Sequence, residues 1–395
     1  MIRRVLHTSD WHIGRKLKDK DRTYEFTKFF LWLDNLIKEQ NIDVLLVAGD
    51  VFDNTTPSTT AQNIYYSFLA ECSCRHVVII SGNHDSPAFI DAPAKLLERS
   101  NIHVVGQACE HEIITLNDNA GNPELVVCAV PYLRDRDVRT LSAEGAQNIE
   151  QELCTGIAEH YARVFEEAGK FSGVPVIAMG HLFVKGGTTR NDDGTRQLYV
   201  GTAVQVGSDI FPEFLTYTAL GHLHSPQSVG RKNIRYSGAP LAMGFGEAGQ
   251  KKSVCILELD GGNLTGISEV SIPEFQRLGQ VKGDMQKIAD SMKNFAAENV
   301  SVWLDVTYNG REIITDLQER LNEHVKDYPL LEIISVHDES IQEKMNIHKI
   351  PEGLESIRPL QMLELFFAAN SIPEEQQKIF TPMYKEIVSD LGANN

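Results

Sequence analysis

Short apolar runs that end in polar residues recur along the first 260 residues of the chain. The first three runs, each with the polar residue that follows it, are residues 5–6 with Asp10, 44–48 with Asp50, and 77–80 with Asn83. A run of this length that is apolar on both faces is typical of a buried β-strand. The pattern predicts an α/β domain that collects polar side chains where its strands end.

Helices are predicted between these strands by apolar residues spaced three and four positions apart. The helical stretches run through Phe26 to Ile37, through Ile64 to Leu69, and through Ile149 to Phe165. Further strands are predicted at residues 125–130, 174–178, 217–220, 234–236 and 254–259, and we assign the last two to a second sheet. The sequence Asp260-Gly-Gly-Asn263 predicts a hairpin turn.

The pattern changes near residue 273, and we divide the chain there. A helix through Met285 to Phe295, a strand at 302–308, a helix through Ile314 to Leu321 and a strand at 330–336 predict a small capping domain of α/β class at 273–340. The remaining residues, 341–395, carry apolar helical stretches at a chain end, which favours a helical segment that docks on a partner. Residues 1–272 are the expected main domain.

Charge and composition limit the functions that this domain can have. The net charge is −17, so bulk electrostatic attraction to nucleic acid is excluded and any DNA must be held with help. Six scattered cysteines without a C-x-x-C pair indicate reduced thiols in the cytoplasm. An apolar run long enough for a transmembrane helix is missing, and Arg3-Arg4 precedes a strand instead of a signal core, so we expect neither membrane insertion nor export.

Five short motifs hold residues that can bind metal ions, and each follows a predicted strand. They are Asp10-Trp11-His12, Gly49-Asp50 with Asp53, Gly82-Asn83-His84-Asp85, Gly180-His181, and Gly221-His222-Leu223-His224. Taken singly, such a motif is more often structural than a ligand. Together at strand ends, where open α/β sheets place their ligand sites, they favour one shared centre.

The residue types indicate which chemistry this centre performs. Carboxylate, imidazole and amide ligands without thiolate suit Mn²⁺, Fe²⁺ or Zn²⁺ and disfavour a structural zinc cage. A carboxylate can bridge two ions, and two ions about 3.5–4 Å apart can hold a phosphoryl group and activate water. The sequence therefore predicts phosphodiester hydrolysis by two metal ions. These ligand types do not choose among Mn²⁺, Fe²⁺ and Zn²⁺, and we expect Mn²⁺.

In this order the motifs resemble those of the calcineurin-like metallophosphoesterase superfamily over residues 1 to about 245. The resemblance is strongest to bacterial nuclease subunits that process double-strand breaks, and it rests on His7-Thr-Ser-Asp10-Trp-His12, Ala48-Gly-Asp50-Val-Phe-Asp53, Ser81-Gly-Asn83-His84-Asp85 and Ala219-Leu-Gly-His222-Leu-His224. It implies a two-sheet sandwich flanked by helices. It also implies one metal held by Asp10, His12, Asp50 and His224, and a second held by Asp50, Asn83, His181 and His222.

The resemblance further implies roles outside the ligand sets. His84 would face the phosphate, and Asp53 would orient its imidazole, although Asp53 as a turn cap stays an alternative. Arg15 and Lys16 open a basic run that could contact the DNA backbone or be a solvated loop.

The implied function is a DNA exonuclease and endonuclease subunit of DNA repair and recombination, acting on double-stranded ends and hairpins. Its implied partner is the ATPase SbcC, in a heterotetramer that contains a homodimer of this chain, in the nucleoid. One rival is a phosphatase or cyclic-nucleotide phosphodiesterase of the same superfamily, against which Asn54 counts because phosphatases usually carry Arg there. A second rival is a non-catalytic scaffold for DNA ends, which the complete ligand set opposes.

Overall fold

The computed structural model describes residues 2–138, 149–171, 173–189, 204–312 and 314–340, together with Leu363, Phe367, Gln377, Thr381 and Tyr384. The chain divides into two compact units, 1–279 and 280–395. Most of the segment that we predict to dock on a partner, 341–395, lies outside the described residues.

The first unit alternates strands and helices as the sequence pattern predicts. Its strands are β1 Arg4–Thr8, β2 Val44–Ala48, β3 His76–Ile80, β4 Ile102–Val105, β5 Ile113–Asn117, β6 Pro123–Ala129, β7 Val176–His181, β8 Phe183–Val184, β9 Gln205–Val206, β10 Tyr217–Gly221, β11 Gln227–Val229, β12 Arg231–Tyr236, β13 Ser253–Asp260 and β14 Asn263–Ser271. Its helices are α1 Thr23–Gln40, α2 Thr59–Glu71, α3 Pro87–Asp91, α4 Ala94–Leu97, α5 Asp135–Val138 and α6 Ile149–Ala168.

Two six-stranded sheets form the frame of this unit. The first has the order β14-β13-β1-β2-β3-β4, and the second has the order β11-β12-β10-β7-β6-β5. Strands β1 to β4 are parallel, as are β6, β7, β10 and β12. Parallel strands bring their carboxyl ends to one edge of a sheet, so the polar residues that follow them are placed together.

One strand assignment from the sequence was wrong. We assigned 254–259 to the second sheet, but β13 pairs antiparallel with β1 in the first sheet, with Cys255 opposite His7. The expected hairpin after it is confirmed, because Asp260 pairs with Asn263 and both Gly261 and Gly262 have positive φ. Strand pairing over about 250 residues of sequence leaves no local signal, whereas a two-glycine turn does.

Apolar residues fill three layers of the first unit. The central layer lies between the sheets and includes Val44 and Leu46 of β2 and Ile177 and Met179 of β7. Outer layers form where α1 and α2 cover the first sheet and where α6 covers the second. The expected two-sheet sandwich flanked by helices is therefore confirmed, and its strands are apolar on both faces because both faces are covered.

The second unit has a core of its own. Its elements are β15 Arg277–Gly283, α7 Met285–Ala297, β16 Val302–Tyr308, α8 Leu317–Val325 and β17 Leu331–Asp338. The three strands form one sheet in the order β15-β16-β17, and α7 contributes the buried Ile288 and Met292. The α/β class expected for this region is present. Helix α8 begins at Leu317, three residues later than the apolar spacing from Ile314 indicates.

Two broad expectations from composition concern the cysteines and membrane insertion. All six cysteines lie among the described residues and are free thiols. Within the described part of the chain, every helix is too short or too polar to cross a membrane.

Candidate metal centre

All seven predicted ligands lie in the first unit and follow its strands. Asp10 and His12 follow β1, Asp50 follows β2, Asn83 follows β3, and the histidines end or follow β7 and β10. The residues that the structure brings together in this way are Asp10, His12, Asp50, Asn83, His181, His222 and His224. Six of them are buried, and Asn83 is half-buried.

The backbone at four of these positions is held in a region that side chains rarely adopt. Asp10, His12 and Asp50 have φ of 52°, 47° and 50°, and His222 has φ of 98°. Such conformations cost about 1–3 kcal/mol each and persist where the surrounding structure enforces them. Here hydrogen bonds between the loops enforce them, because Asp10 N donates to Gly49 O and His12 N donates to Asp50 O, both at 2.9 Å.

Two glycines allow the loops to approach so closely. A Cβ on Gly82 would lie 2.1 Å from Oδ1 of Asp50, and one on Gly49 would lie 2.3 Å from Nδ1 of His181. Both distances are far below van der Waals contact, so any side chain there would displace a candidate ligand. Gly49 also has φ of +86°, which favours glycine independently.

One group of donors forms around the first and last motifs. Nε2 of His12 lies 3.1 Å from Nε2 of His224, and Nε2 of His12 lies 3.6 Å from Oδ2 of Asp50. Asp10, His12 and His224 each offer one donor atom within 4.8 Å of the others. Oδ1 of Asp10 accepts a hydrogen bond from the main-chain N–H of His222, which fixes the carboxylate.

A second group forms on the other side of Asp50. Oδ2 of Asp50 lies 3.4 Å from Nε2 of His181, and Oδ1 of Asn83 lies 3.0 Å from both Nε2 of His181 and Nδ1 of His222. The same carboxylate oxygen of Asp50 therefore faces both groups. That arrangement is the one a bridging ligand requires.

Burial and mutual charge set the protonation of the centre. Burial and the neighbouring His181 lower the pKa of His222 to about 3, and burial holds the pKa of His12 well below its usual value. Burial opposes charge on His181 too, but Asp50 outweighs it and raises the pKa of His181 to about 9. Burial alone would raise the pKa of Asp50, yet His181 and His12 hold it well below its usual value. His12 and His222 are therefore neutral and ready to bind cations near neutral pH, whereas His181 has to release a proton when a cation binds.

The donor set fits two divalent metal ions. His12 and His224 direct ring nitrogens at each other across 3.1 Å, and at most one of these nitrogens can carry the proton of a hydrogen bond. A bound divalent cation would accept the lone pairs of both nitrogens. Divalent ions would be held by Asp10, His12, Asp50 and His224 on one side, and by Asp50, Asn83, His181 and His222 on the other.

Asp53 contacts the ring of His84 through its main chain. Nδ1 of His84 lies 2.8 Å from the main-chain oxygen of Asp53, not from its carboxylate. The carboxylate instead accepts a hydrogen bond from Nη1 of Arg15 at 3.0 Å and lies 3.8 Å from Nδ1 of His12. Arg15 is therefore occupied by this ion pair, whereas Lys16 beside it is exposed.

Sequence reasoning missed the residues that brace these loops. Asp85 is fully buried, and its carboxylate accepts hydrogen bonds from the main-chain N–H groups of Val51, Phe52 and Gly82 at 2.8–3.1 Å. It thereby ties the loop after β2 to the loop after β3. Ser9 donates to Oδ2 of Asp10. Asp85 directly follows Asn83-His84 and is part of that sequence motif. Its role could not be predicted, because the residues that it contacts are 33 and 34 positions away in the sequence.

Comparisons with known proteins agree with this geometry. Residues 3–226 match the model of the calcineurin-like phosphoesterase family. The chain is 31% identical over 403 residues to SbcD of the nuclease SbcCD from Escherichia coli (strain K12), and the match covers 99% of each protein. The chain belongs to the SbcD family of calcineurin-like phosphoesterases.

Two further members of the SbcD family match about two thirds of the chain. SbcD of Rhodobacter capsulatus is 36% identical over 272 residues, covering 66% of this chain and 67% of that protein. SbcD of Bacillus subtilis (strain 168) is 34% identical, and the match covers 68% of this chain and 69% of that protein. Residues 274–371 match a second family model, described as the type 5 capsule protein repressor C-terminal domain. The match begins close to the boundary between the two compact units.

Proposed function

We propose that this chain hydrolyses phosphodiester bonds of DNA as the nuclease subunit of a complex with the ATPase SbcC. The observation that carries the proposal is the position of Asp50, whose Oδ2 faces His12 at 3.6 Å and His181 at 3.4 Å between two groups of buried donors. The names of its relatives, which are components of the nuclease SbcCD, support the substrate and the partner. We propose Mn²⁺ as the working metal, since oxygen and imidazole ligands suit it.

The protein's own groups prepare the site for this reaction. Two divalent ions, when bound, would supply positive charge for the phosphate oxygens and acidify the attacking water. Asp50 holds its orientation because its Oδ1 accepts the main-chain N–H of His84 at 2.8 Å. Asp10 is fixed by Ser9 and by the main chain of His222. The ligands are therefore pre-oriented by hydrogen bonds.

His84 is the proposed residue that moves a proton. Its ring lies 4.7 Å from the ring of His12, centre to centre, so it is next to the metal ligands. Nδ1 donates to the carbonyl oxygen of Asp53, which leaves Nε2 as the nitrogen that can face a phosphate oxygen or a leaving group. Asp53 is thereby a proposed positioning residue, through its main chain, and it also anchors Arg15.

We propose a division of labour along the chain. Residues 1–272 form the nuclease domain, 273–340 cap it, and 341–395 dock on SbcC. Two copies of the chain would join within a heterotetramer, and the exposed Tyr24 and Leu31 on α1 offer apolar surface for that contact. Because the chain carries a net charge of −17, double-stranded ends and hairpins would be held jointly with SbcC in the nucleoid, with Lys16 as a local backbone contact.

The test compares substrates under one set of conditions. Purified chain with Mn²⁺, alone and with SbcC and ATP, is given linear duplex DNA, hairpin DNA, and small phosphate mono- and diesters. We expect metal-dependent cleavage of both DNA forms and slow turnover of the small esters. Brisk hydrolysis of a small ester without DNA cleavage in either state would contradict the proposal and favour a phosphatase. Absence of any turnover would favour a scaffold.

A further inference from the structure

A buried ion pair that none of the sequence motifs contains lies behind the metal centre. Glu247 is fully buried and Lys252 is 6% exposed, and their Oε2 and Nζ atoms lie 2.6 Å apart. The same Oε2 accepts the main-chain N–H of Met243 at 2.8 Å, and Nζ also donates to Oε1 of Gln250 at 3.0 Å. Both residues follow β12 in the chain, in the segment that leads to β13.

Each member of this pair contacts His224. Nζ of Lys252 donates to the main-chain oxygen of His224 at 3.2 Å. Oε1 of Glu247 makes no hydrogen bond among the described residues and lies 3.6 Å from Nδ1 of His224. The other ring nitrogen of His224, Nε2, faces His12 at 3.1 Å inside the donor group. The imidazole therefore stands between a buried carboxylate and the centre.

This geometry determines which nitrogen of His224 carries a proton. A buried carboxylate oxygen favours an N–H beside it, so the proton belongs on Nδ1 and the lone pair on Nε2. A histidine that binds a metal through one nitrogen usually donates the other to a carboxylate or carbonyl, and loss of that partner weakens metal affinity about 10–100-fold. The carboxylate of Glu247 has the position that such a partner needs.

We propose that Glu247, with Lys252 as its counter-ion, is a positioning residue that fixes the tautomer and orientation of His224 for metal binding. The inference rests on the proposed two-metal function. Without Lys252, the carboxylate would be an uncompensated buried charge. Lys252 thus compensates the buried carboxylate of Glu247, and it holds the main chain of His224 at the same time.

The test measures Mn²⁺ binding directly, without DNA. Titration followed by the electron paramagnetic resonance of free Mn²⁺ gives two stepwise dissociation constants for the full chain. We expect Glu247→Gln to raise one of the two constants about 10–100-fold and to leave the other within about twofold, because only the ion held by His224 loses support. The visible absorption of Co²⁺ bound in place of Mn²⁺ should change at the weakened site alone.

Glu112→Gln is the matched control. Glu112 is 1% exposed and its Oε2 lies 2.7 Å from Nε2 of His160, so it is another buried carboxylate beside a histidine, but away from the proposed ligands. Both of its Mn²⁺ constants should equal those of the wild-type chain. If Glu247→Gln does not fold, the double variant Glu247→Gln, Lys252→Met removes both charges and should show the same weakened constant.

The outcomes separate this inference from the proposed function. Two unchanged constants and an unchanged Co²⁺ spectrum in a folded Glu247→Gln or double variant would overturn the positioning role. A uniform weakening of both ions in Glu247→Gln and in Glu112→Gln alike would also overturn it, because it would report a general loss of structure. Failure of the wild-type chain to bind two ions would instead contradict the two-metal function.

Discussion

Single residues of the centre are each fixed by more than one contact. His84 illustrates this, since its main-chain N–H donates to Asp50 while its ring is held by the carbonyl oxygen of Asp53. Arg15 shows that sequence context alone does not identify the partner of a basic side chain. Its sequence context left open a contact with DNA or a place in a solvated loop, and its guanidinium is paired with Asp53. A basic residue next to an acidic loop is therefore a weaker indication of DNA binding than an exposed one.

This difference predicts unequal effects of two neighbouring substitutions on DNA binding. Lys16→Gln should weaken binding to duplex DNA and reduce the slope of log affinity against log salt by about one, because one phosphate contact is lost. Arg15→Gln should change that slope less. Fluorescence anisotropy with a labelled duplex at several salt concentrations measures both.

The control for this comparison is Lys38→Gln. Lys38 is exposed and paired with Asp34 in the last turn of α1, and its loss should leave the slope unchanged. An equal reduction of the slope in Arg15→Gln and Lys16→Gln would contradict the assignment of Arg15 to Asp53.

The buried His7 should make the stability of the metal-free protein depend on pH. Burial lowers its pKa to about 3, from a usual value near 6.5. The folded state therefore binds fewer protons than the unfolded chain between these two pH values, and stability falls as pH is lowered through that window. His7→Asn keeps a partner for the hydroxyl of Tyr217 but cannot be protonated, so it should lose less stability.

Urea unfolding with chelator present, at about pH 7.5, 5.5 and 4.5, measures the effect. As pH is lowered, the free energy of unfolding of the wild-type chain should fall more steeply than that of His7→Asn. The two slopes should differ by at most about 1.4 kcal/mol per pH unit. Parallel pH dependences would show that His7 is protonated as readily in the folded chain as in the unfolded one.

At the scale of elements, the loops after β1, β2 and β3 act as one unit. Main-chain hydrogen bonds join the loop of Asp10 to that of Asp50, and Asp85 joins the loop of Asp50 to that of Asn83. Positive φ values at Asp10 and Asp50 need this mutual support. Loosening one loop should therefore displace ligands on the others.

Asp85→Asn tests this coupling. An amide side chain offers one acceptor oxygen where the carboxylate uses both, so at least one of the three buried N–H groups of Val51, Phe52 and Gly82 loses its partner. We expect the free energy of unfolding to fall by about 1–3 kcal/mol and Mn²⁺ affinity to fall with it. Urea unfolding and Mn²⁺ titration measure these two quantities.

Asp91→Asn is the comparison variant for Asp85→Asn. Asp91 accepts one main-chain N–H, from Gly106, through Oδ1, and an amide can replace that single acceptor. The Asp91→Asn variant should keep its Mn²⁺ affinity and most of its free energy of unfolding. Normal metal affinity in a destabilised Asp85→Asn would show that the loops hold their ligands independently.

The sequence predicted elements better than it predicted their pairing. Strand β2 has the predicted bounds because every residue in it is apolar and Gly49 ends it. The partner of β13 could not be predicted, because pairing with β1 depends on contacts across the whole unit. The grouping of the seven proposed ligands was predicted because parallel strands bring their ends together. Glu247 was missed because a single acid outside the motifs gives no sign of a role until its burial is known.

At the scale of the molecule, the acidic chain needs a second source of affinity for DNA. The net charge of −17 repels phosphate, and we propose that the centre attracts it once cations are bound. We attribute the missing affinity to SbcC and the docking to residues 341–395.

Removal of residues 351–395 should abolish association with SbcC without affecting metal binding. All proposed ligands lie between residues 10 and 224, and the apolar cluster that the structure describes in the second unit lies within residues 281–336. Co-purification with SbcC and Mn²⁺ titration measure the two properties on the same sample. Retained co-purification of SbcC with the truncated chain would contradict the docking role of the tail.

The central claim is that two metal ions and His84 together cleave DNA. The most direct measurement is the cleavage of linear duplex and hairpin DNA by the wild-type chain and by His84→Ala. Each protein is assayed with SbcC and ATP, once in Mn²⁺ and once in chelator. Mn²⁺ titration of both proteins accompanies the assay. We predict that the wild-type chain cleaves DNA in Mn²⁺ but not in chelator, and that His84→Ala lowers the cleavage rate at least about 100-fold. Both proteins should bind two Mn²⁺ ions. Cleavage that survives chelation, or a His84→Ala chain that cleaves at the wild-type rate, would contradict the account.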